Sequence, residues 1–416
     1  MNAEMGSTTK VNASVGIDIL VHDFSGHPFQ AELSRELARL GLSVVHAYCG
    51  GVTTGKGNLQ RTAEDPDGLT FIDVSDVPFE RYSAVGRIRS EYLYGRRLSA
   101  VAKSLRPRHV LSSNAPLISQ VGLWVTCRRM KADKFFWLQD LLGRGVRAMF
   151  TKRNALLGAT AGRAFEWLET ILLRQSDGVI VIADDFLSAL HDRRVKLPTL
   201  VVENWAPLNE IRMGSKPNGW STAMGLDGLR VAIYSGTLGL KHDPEHLVAV
   251  ARALDPVSEK LVVITEGLGR DYLERAKATE GLDALRLCDF VPYETLNDVL
   301  STADVCIVLL EDDAGTFSVP SKVLSYLAAG RAIVGAMPAA NLATRTISRA
   351  GAGMVVTPGS YEQFASSVVR LLRDEGEAER MGRDARAYAE SAFDAAGIAV
   401  RVTQFIAQCS GVATLT

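Results

Sequence analysis

Short apolar runs alternate with longer stretches of helical period along nearly the whole chain. The runs predict strands near residues 15–23, 42–49, 69–74, 109–113, 134–140, 178–183 and 199–205 in the first half. In the second half they predict strands near 229–236, 261–266, 285–291, 305–310, 331–336 and 353–357. Several runs are continuous rather than alternating, as in VAIYSG and VIVIA. A strand covered by helices on both faces has no solvent side and reads this way. Strand–helix alternation in turn implies parallel sheets joined by right-handed crossovers. The pattern predicts an α/β protein built from two doubly wound parallel sheets.

The rhythm breaks between 207 and 228, a stretch rich in Gly, Ser, Asn and Pro without a clear period, which reads as a linker and surface loop. The expected organisation is a first Rossmann-like domain over 1–206, the linker 207–228, and a second Rossmann-like domain over 229–390. A chain of 416 residues suits two domains of roughly 200 residues each. Open parallel sheets bind ligands at the carboxyl ends of their strands, so a cleft between the domains is the expected site.

Composition narrows this only a little. The net charge of −1 argues against a nucleic-acid binder. The opening MNAEMGSTTKVNASVG lacks the apolar core of a signal peptide. No apolar run reaches the ~20 residues that span a bilayer. A cytoplasmic protein is expected. The cysteines Cys49, Cys127, Cys288, Cys306 and Cys409 are scattered and suggest neither a disulfide framework nor a zinc site. Cys288 and Cys306 lie in apolar runs and read as core.

Two segments carry candidate chemistry. Tyr234-Ser235-Gly236-Thr237-Leu238-Gly239-Leu240-Lys241 follows a strong strand and precedes a helix starting near Pro244. Glycines after a strand let backbone N–H groups approach an anion, and a helix N-terminus and Lys241 add positive charge. An ordinary turn with a surface lysine is the plainer alternative. Ser318-Val319-Pro320-Ser321-Lys322 leads into a helix that ends at Ala329-Gly330. Its first turn would offer free N–H groups, with Ser321 and Lys322 where a phosphate could dock. A capped structural helix is the alternative.

Taken together and in order, these segments resemble glycosyltransferase family 4, a GT-B arrangement of two facing Rossmann-like domains. Phe136-Trp137-Leu138-Gln139-Asp140-Leu141 is similar to that family's H/Q-D-L strand end, and Val202-Glu203-Asn204-Trp205 to its N-W closing segment. Ile264-Thr265-Glu266-Gly267-Leu268-Gly269-Arg270 resembles the next Gly-rich turn, and Phe290-Val291-Pro292 the strand end beside the base. Gly26-His27-Pro28-Phe29-Gln30 resembles the first loop of a WbuB-like bacterial subgroup. The likeness spans about residues 15–390. There is one departure: the family's Glu-x7-Glu pair is replaced by Phe317 and Ser325. Ser325 is left to meet the ribose. Glu311, Asp312 and Asp313 could replace the carboxylate facing the donor sugar, or could be a solvated loop.

The resemblance implies a hexosyltransferase that moves a sugar from a nucleotide-diphosphate donor, UDP-sugar as the first guess, to an acceptor hydroxyl. It implies retention of anomeric configuration, and bacterial polysaccharide or glycolipid biosynthesis as the setting. No cofactor and no metal are expected; no Asp-x-Asp motif is present, and His22-Asp23 and Asp312-Asp313 do not supply one. Lys241 and Lys322 are the candidates to stabilise the leaving diphosphate, since fixed cations aimed at developing charge lower the barrier. Asp140 is the candidate to orient the acceptor hydroxyl or assist its proton, or else caps the following helix; His27 is the candidate to touch donor sugar or acceptor, or else is a surface-loop histidine. Gly236, Thr237, Glu266, Val291, Pro292, Ser321 and Ser325 complete the expected nucleotide site. The resemblance also places a helix in 391–416 that packs back on the first domain.

Charge is uneven. Residues 81–174 carry 18 Lys/Arg against 5 Asp/Glu, an excess of 13. Arg87, Arg89, Arg96, Arg97, Lys103, Arg106 and Arg108 flank Tyr92, Leu93 and Tyr94, while Arg144, Arg147, Lys152 and Arg153 lie among Met149, Phe150, Leu156 and Leu157. Cations beside apolar groups suit an anionic membrane surface or a polyprenyl-diphosphate-linked acceptor, with a glycan as the other acceptor; a solvated face balanced by acids elsewhere is the plainer alternative. A non-hydrolysing sugar-nucleotide epimerase shares the two-domain architecture and is the rival enzyme. A non-catalytic relative that binds a glycan or a partner protein is the rival without activity. A nicotinamide dehydrogenase is disfavoured, because HDFSGHPF stands where GxGxxG would follow the first strand.

Overall fold

Strands without a polar face need cover on both sides, and the computed structural model supplies it twice. It describes residues 16–52, 56–75, 77–79, 84–113, 115–153, 156, 158–239, 242–312 and 319–415. They form two compact units, one ending at Val202 and regained from Ala396, the other Glu203–Ala395.

The first unit runs β1 (Ile19–Asp23), α1 (Pro28–Arg39), β2 (Val44–Tyr48), β3 (Leu69–Asp73), α2 (Ala84–Leu105), β4 (His109–Ser113), α3 (Leu117–Met130) and β5 (Asp133–Leu138). It continues with α4 (Leu142–Arg153), a π-helical turn at Gly158–Gly162, α5 (Arg163–Arg174), β6 (Gly178–Val181), α6 (Asp185–Asp192) and β7 (Thr199–Val201). The strands make one sheet of order β3-β2-β1-β4-β5-β6-β7, parallel throughout. Asp23 ends β1, aligned with Tyr48 on one side and Ser113 on the other.

The second unit comprises α7 (Gly219–Ala223), β8 (Arg230–Ser235), α8 (Glu245–Ala253), β9 (Glu259–Ile264), α9 (Leu268–Glu280), β10 (Leu285–Cys288), α10 (Leu296–Thr302), β11 (Val305–Leu309), α11 (Lys322–Ala328) and β12 (Ala332–Ala336). α12 (Leu342–Ala350), β13 (Gly353–Val356), α13 (Tyr361–Arg373) and α14 (Glu375–Ala392) complete it. Its parallel sheet has the order β10-β9-β8-β11-β12-β13. Each predicted strand is present, with shifted ends, and both sheets are doubly wound. Residues of β8, β9, β11 and β12 are buried with those of α8 and α13 in one apolar core. Cys306 is buried in β11, whereas Cys288 is only half-buried; all five cysteines are free.

The last helix, α15 (Ala395–Ser410), belongs to the first unit. The Phe405 ring lies 6.0 Å from that of Phe135. Gly178 leaves room for it, since a Cβ there would stand 2.9 Å from Phe405. Arg401 donates to the Val201 carbonyl at 2.6 Å, and the Ser410 hydroxyl to Asp133 at 2.7 Å.

The segment 207–228 lies wholly within the second unit and is tied down there, which differs from a free linker. Asn218 caps α7, accepting from the Ser221 N–H at 2.9 Å while the Ser221 hydroxyl accepts from the Asn218 N–H at 2.9 Å. Lys216 donates to Asp304 at 2.6 Å, and the Arg212 N–H to Asn297 at 2.8 Å. The small polar residues that break the period are capping and tethering groups. Asn218→Ala is therefore expected to cost about 1 kcal/mol, as loss of an N-cap does, seen as a lowered urea midpoint; an unchanged midpoint would return the segment to a loose linker.

Candidate active site

In both sheets the strand order reverses once, between β1 and β4 in the first and between β8 and β11 in the second. Doubly wound sheets hold ligands at such points.

In the second unit, α11 lies across the end of β8. The Tyr326 hydroxyl accepts from the Ser235 N–H at 3.3 Å. The Lys322 Nζ sits 3.6 Å from the centroid of the Tyr234 ring. Gly236 follows with φ +132°, and a Cβ there would lie 3.0 Å from that Nζ. The glycine thus admits the lysine as well as the turn. The two segments singled out from the sequence, more than eighty residues apart, therefore meet. Lys322 is not the exposed surface lysine its position at a helix start suggests. Its Nζ is buried without a hydrogen-bond partner among the described residues, and burial lowers its pKa to about 7. A buried amine without a counter-charge is costly, and a bound anion relieves that cost.

The surrounding turns pack closely. The Gly269 N–H donates to the Leu238 carbonyl at 3.2 Å, and a Cβ on Gly269 would lie 2.5 Å from Leu238, so the turn after β8 rests on the start of α9. Thr237, Glu266 and Ser321 are exposed, Pro292 is exposed, and Val291 and Ser325 are half-buried. Ser325 lies one turn beyond Lys322 on α11. Lys241, Asp313 and Phe317 fall outside the described residues. Glu311 groups with Asp243 and His246, one ligand-type atom of each lying within 4.8 Å of the others. That trio is poorly suited to a cation. The His246 Nε2 accepts from the Gly359 N–H at 3.1 Å, and its Nδ1 lies 3.3 Å from the Asp243 carbonyl, so neither ring nitrogen offers a free lone pair.

In the first unit, Asp23 organises the loop between β1 and α1. Its fully buried carboxylate accepts from the Ser25 N–H at 3.1 Å and from the His27 N–H. The His27 Nδ1 lies 2.9 Å from the same carboxylate. Burial alone would raise the Asp23 pKa, but its bonds and charge interaction with His27 bring it to about 2. Burial alone would likewise lower that of His27; the Asp23 carboxylate, with Asp140 as a further negative charge, turns the net shift upward. Asp140 itself is half-buried just beyond β5. His22, by contrast, is buried between Ser112 at 2.8 Å and Tyr94 at 2.9 Å, and burial holds it neutral with a pKa near 3. Sequence reasoning missed the Asp23–His27 pair, although Asp and His four residues apart across a Gly turn at a strand end is a readable signal.

The basic stretch divides. Tyr94 is buried against Phe24 and His22 and does not belong to the exposed face. Ile88 at 53% and Tyr92 at 55% exposure form a stripe on α2 with Arg89 and Arg96, and Leu156 and Trp167 are also exposed. Arg87 pairs with Glu91 and Arg147 with Glu166, whereas Arg89 and Arg96 have no acidic partner among the described residues. The side chains of Met149, Lys152 and Arg153, and Leu157 as a whole, lie outside the described set.

Two sheets with these switch points define the class of two-domain, doubly wound α/β proteins. Within it, residues 27–205 match the family described as "Glycosyl transferase 4-like domain", and residues 230–374 match "Glycosyl transferases group 1". The chain belongs to these glycosyltransferases, of the GT-B fold. A curated relative is WcaI of Escherichia coli K12, named as a colanic acid biosynthesis glycosyl transferase; it is 25% identical over 186 residues, 44% of this chain and 44% of WcaI, so the match spans less than half of either protein. Sucrose-phosphate synthase from Thermosynechococcus elongatus shares the fold with a TM-score of 0.73 at 16% identity, over 95% of this chain and 99% of that one. Anabaena Alr3699/HepE in complex with UDP-glucose gives 0.67 at 15% identity, over 94% and 100%. Among the described residues, no helix is long and apolar enough to cross a membrane.

Proposed function

We propose that this protein transfers a sugar from a nucleotide-diphosphate donor to an acceptor hydroxyl, and that the donor's diphosphate is held at the turn after β8. The observation that carries the reading is the buried Lys322 amine beside Gly236, without a hydrogen-bond partner among the described residues, at the switch point of the second sheet. A diphosphate supplies the charge this amine lacks. As the anomeric C–O bond breaks, negative charge grows on the leaving group, and a fixed cation there lowers the barrier. Lys241 is placed in the same role from the sequence, and Thr237, Glu266, Val291, Pro292, Ser321 and Ser325 around the nucleotide. UDP is the first candidate, supported by the UDP and UDP-glucose complexes among similar folds. Retention of configuration and a part in bacterial polysaccharide or glycolipid synthesis rest on the family and on the likeness to WcaI. No metal and no cofactor enter this reading.

Thermal shifts with UDP, GDP, ADP and dTDP test it. A ligand that binds only the folded state stabilises by mass action, about 2.7 kcal/mol at a hundred times its dissociation constant. UDP is expected to raise the melting temperature well beyond uridine. Equal shifts for nucleoside and diphosphate would remove the phosphate site from Lys322.

The acceptor reading adds a surface. The stripe of Ile88, Tyr92, Arg89 and Arg96 on α2 supports docking on an anionic bilayer that presents a lipid-linked acceptor. Exposed charges are screened within about 10 Å at 0.1 M salt. The protein is thus expected to sediment with phosphatidylglycerol vesicles at low salt and to leave them at high salt. Binding that ignores salt, or no binding, would count against the surface.

A further inference from the structure

The lysines of the second unit are met in different ways. Lys216 donates to the Asp304 carboxylate at 2.6 Å, and Lys260 to the carbonyls of Pro256 and Asp283 at 2.7 and 3.1 Å. Lys322 has no such acceptor among the described residues. Its Nζ stands 3.6 Å from the centroid of the Tyr234 ring, and on its other side a Cβ on Gly236 would lie 3.0 Å away. The face of an aromatic ring attracts a cation, but far less than water solvates one. The titratable groups packed around this amine are Tyr234 of β8 and Tyr326 of its own helix, and Cys306 of β11 acts on Tyr326. Burial pushes both phenols and the thiol upward, so all three are neutral near pH 7. No described carboxylate offsets the burial of the amine. An ammonium in such a place does better to shed its proton than to keep it unpaired. The lowering of its pKa to about 7 agrees with that geometry.

We propose that the diphosphate enters this site together with a proton, which settles on the Lys322 Nζ. This rests on the reading that places the diphosphate at the turn after β8. Neutral amine and hydrogen ion become ammonium; no bond to the nucleotide forms or breaks. A bound anion beside the nitrogen favours its charged form and lifts its affinity for the proton. The cation is thus made by the ligand that needs it, whereas a nucleoside brings no charge and no proton. Below about pH 7 the amine of the free protein is already charged, and affinity is level. Above it the amine is neutral in the free protein and charged in the complex, so binding weakens as pH rises. Lys134 gives the contrast. Its amine is also buried without a partner among the described residues, 4.8 Å over the Phe136 ring, and burial lowers its pKa to about 8. It is the second residue of β5, though, at the end of the strand away from the ligand edge of a parallel sheet.

The test is calorimetric titration of the full chain with UDP at pH 8, in Tris and in HEPES. The two buffers differ in heat of ionisation, so the difference in binding heat counts the protons taken up. The terminal phosphate of UDP is ionised at this pH, its last pKa lying near ~6 as in other phosphate groups. Uptake of about one proton per UDP is expected, the linkage for an amine that passes from neutral to charged, and none with uridine. The dissociation constant of UDP should rise about tenfold from pH 8 to pH 9 by the same linkage. Lys322→Arg keeps its charge at every pH and should take up no proton and lose that pH dependence. Lys134→Met should retain both. If Lys322→Arg does not fold, the wild-type proton count decides alone. A wild type that binds UDP more tightly than uridine without taking up a proton overturns the proposal and leaves the diphosphate site standing. Proton uptake that persists in Lys322→Arg overturns it as well, since the proton then goes elsewhere. A wild type that binds UDP no better than uridine overturns the diphosphate site and this proposal with it.

Discussion

Lys322→Met is expected to make the protein more stable and nearly inactive. The wild-type amine is buried without a hydrogen bond among the described residues, and placing a polar group there costs about 1–3 kcal/mol by mutational precedent. Methionine fills the same space over the Tyr234 ring without that cost. The sign depends on pH. The folded pKa lies near 7, below the unfolded lysine value, so the unfolded chain holds more protons between them. Wild-type stability therefore rises with pH across this window, and the advantage of methionine should be largest near pH 7 and shrink toward pH 10. Turnover with a UDP-sugar should drop by about 10²–10³, the scale of a lost charge-stabilising group, and the extra thermal shift of UDP over uridine should vanish. Calorimetry at the two pH values checks the first claim, and the paired nucleotide titrations check the second. A destabilised variant, or one that keeps the diphosphate shift, would place the phosphate elsewhere.

Glu169→Leu should bring a large loss of stability. Glu169, on α5, is fully buried; it meets the Arg193 guanidinium at 2.6 Å and accepts from the Gly143 N–H of α4 at 3.1 Å. Removing one member of a buried pair strands the other, at about 3–5 kcal/mol, which for a unit of this size lowers the melting temperature by on the order of 10 °C. The double variant Glu169→Leu with Arg193→Leu should recover much of the loss, since no charge is then left alone. α4 starts two residues after Asp140, so the single variant should also weaken turnover. Additive losses in the double variant would mean that the pair is not coupled.

Some of this was legible in the sequence and some was not, for identifiable reasons. The strands were readable because burial on both faces leaves unbroken apolar runs, as in Val305–Leu309. Lys241 and Lys322 were read as serving one leaving diphosphate, but the contact of Gly236 with Lys322 was not foreseen. The burial of the amine was invisible, because Pro-Ser-Lys at a helix start looks the same whether the lysine points to water or over a tyrosine ring. The tethering of 207–228 was missed because Asn, Ser and Gly mark both caps and loops. Asp23 was noticed only in setting aside a metal motif and His27 only as a group for donor sugar or acceptor, and the backbone turn that joins them is a tertiary fact.

The placement of α15 bears on how the chain is born. The strands β5 and β6 are made early, yet Phe405, which packs on Phe135 and Gly178, follows Gly178 by more than two hundred residues. Glu203–Ala395 is contiguous and is complete before α15 is made; the first unit is not. For this chain the usual order, N-terminal domain first, is inverted at the final step. The half that starts first finishes last, and in the interval its uncovered aromatic surface is the one most in need of a chaperone.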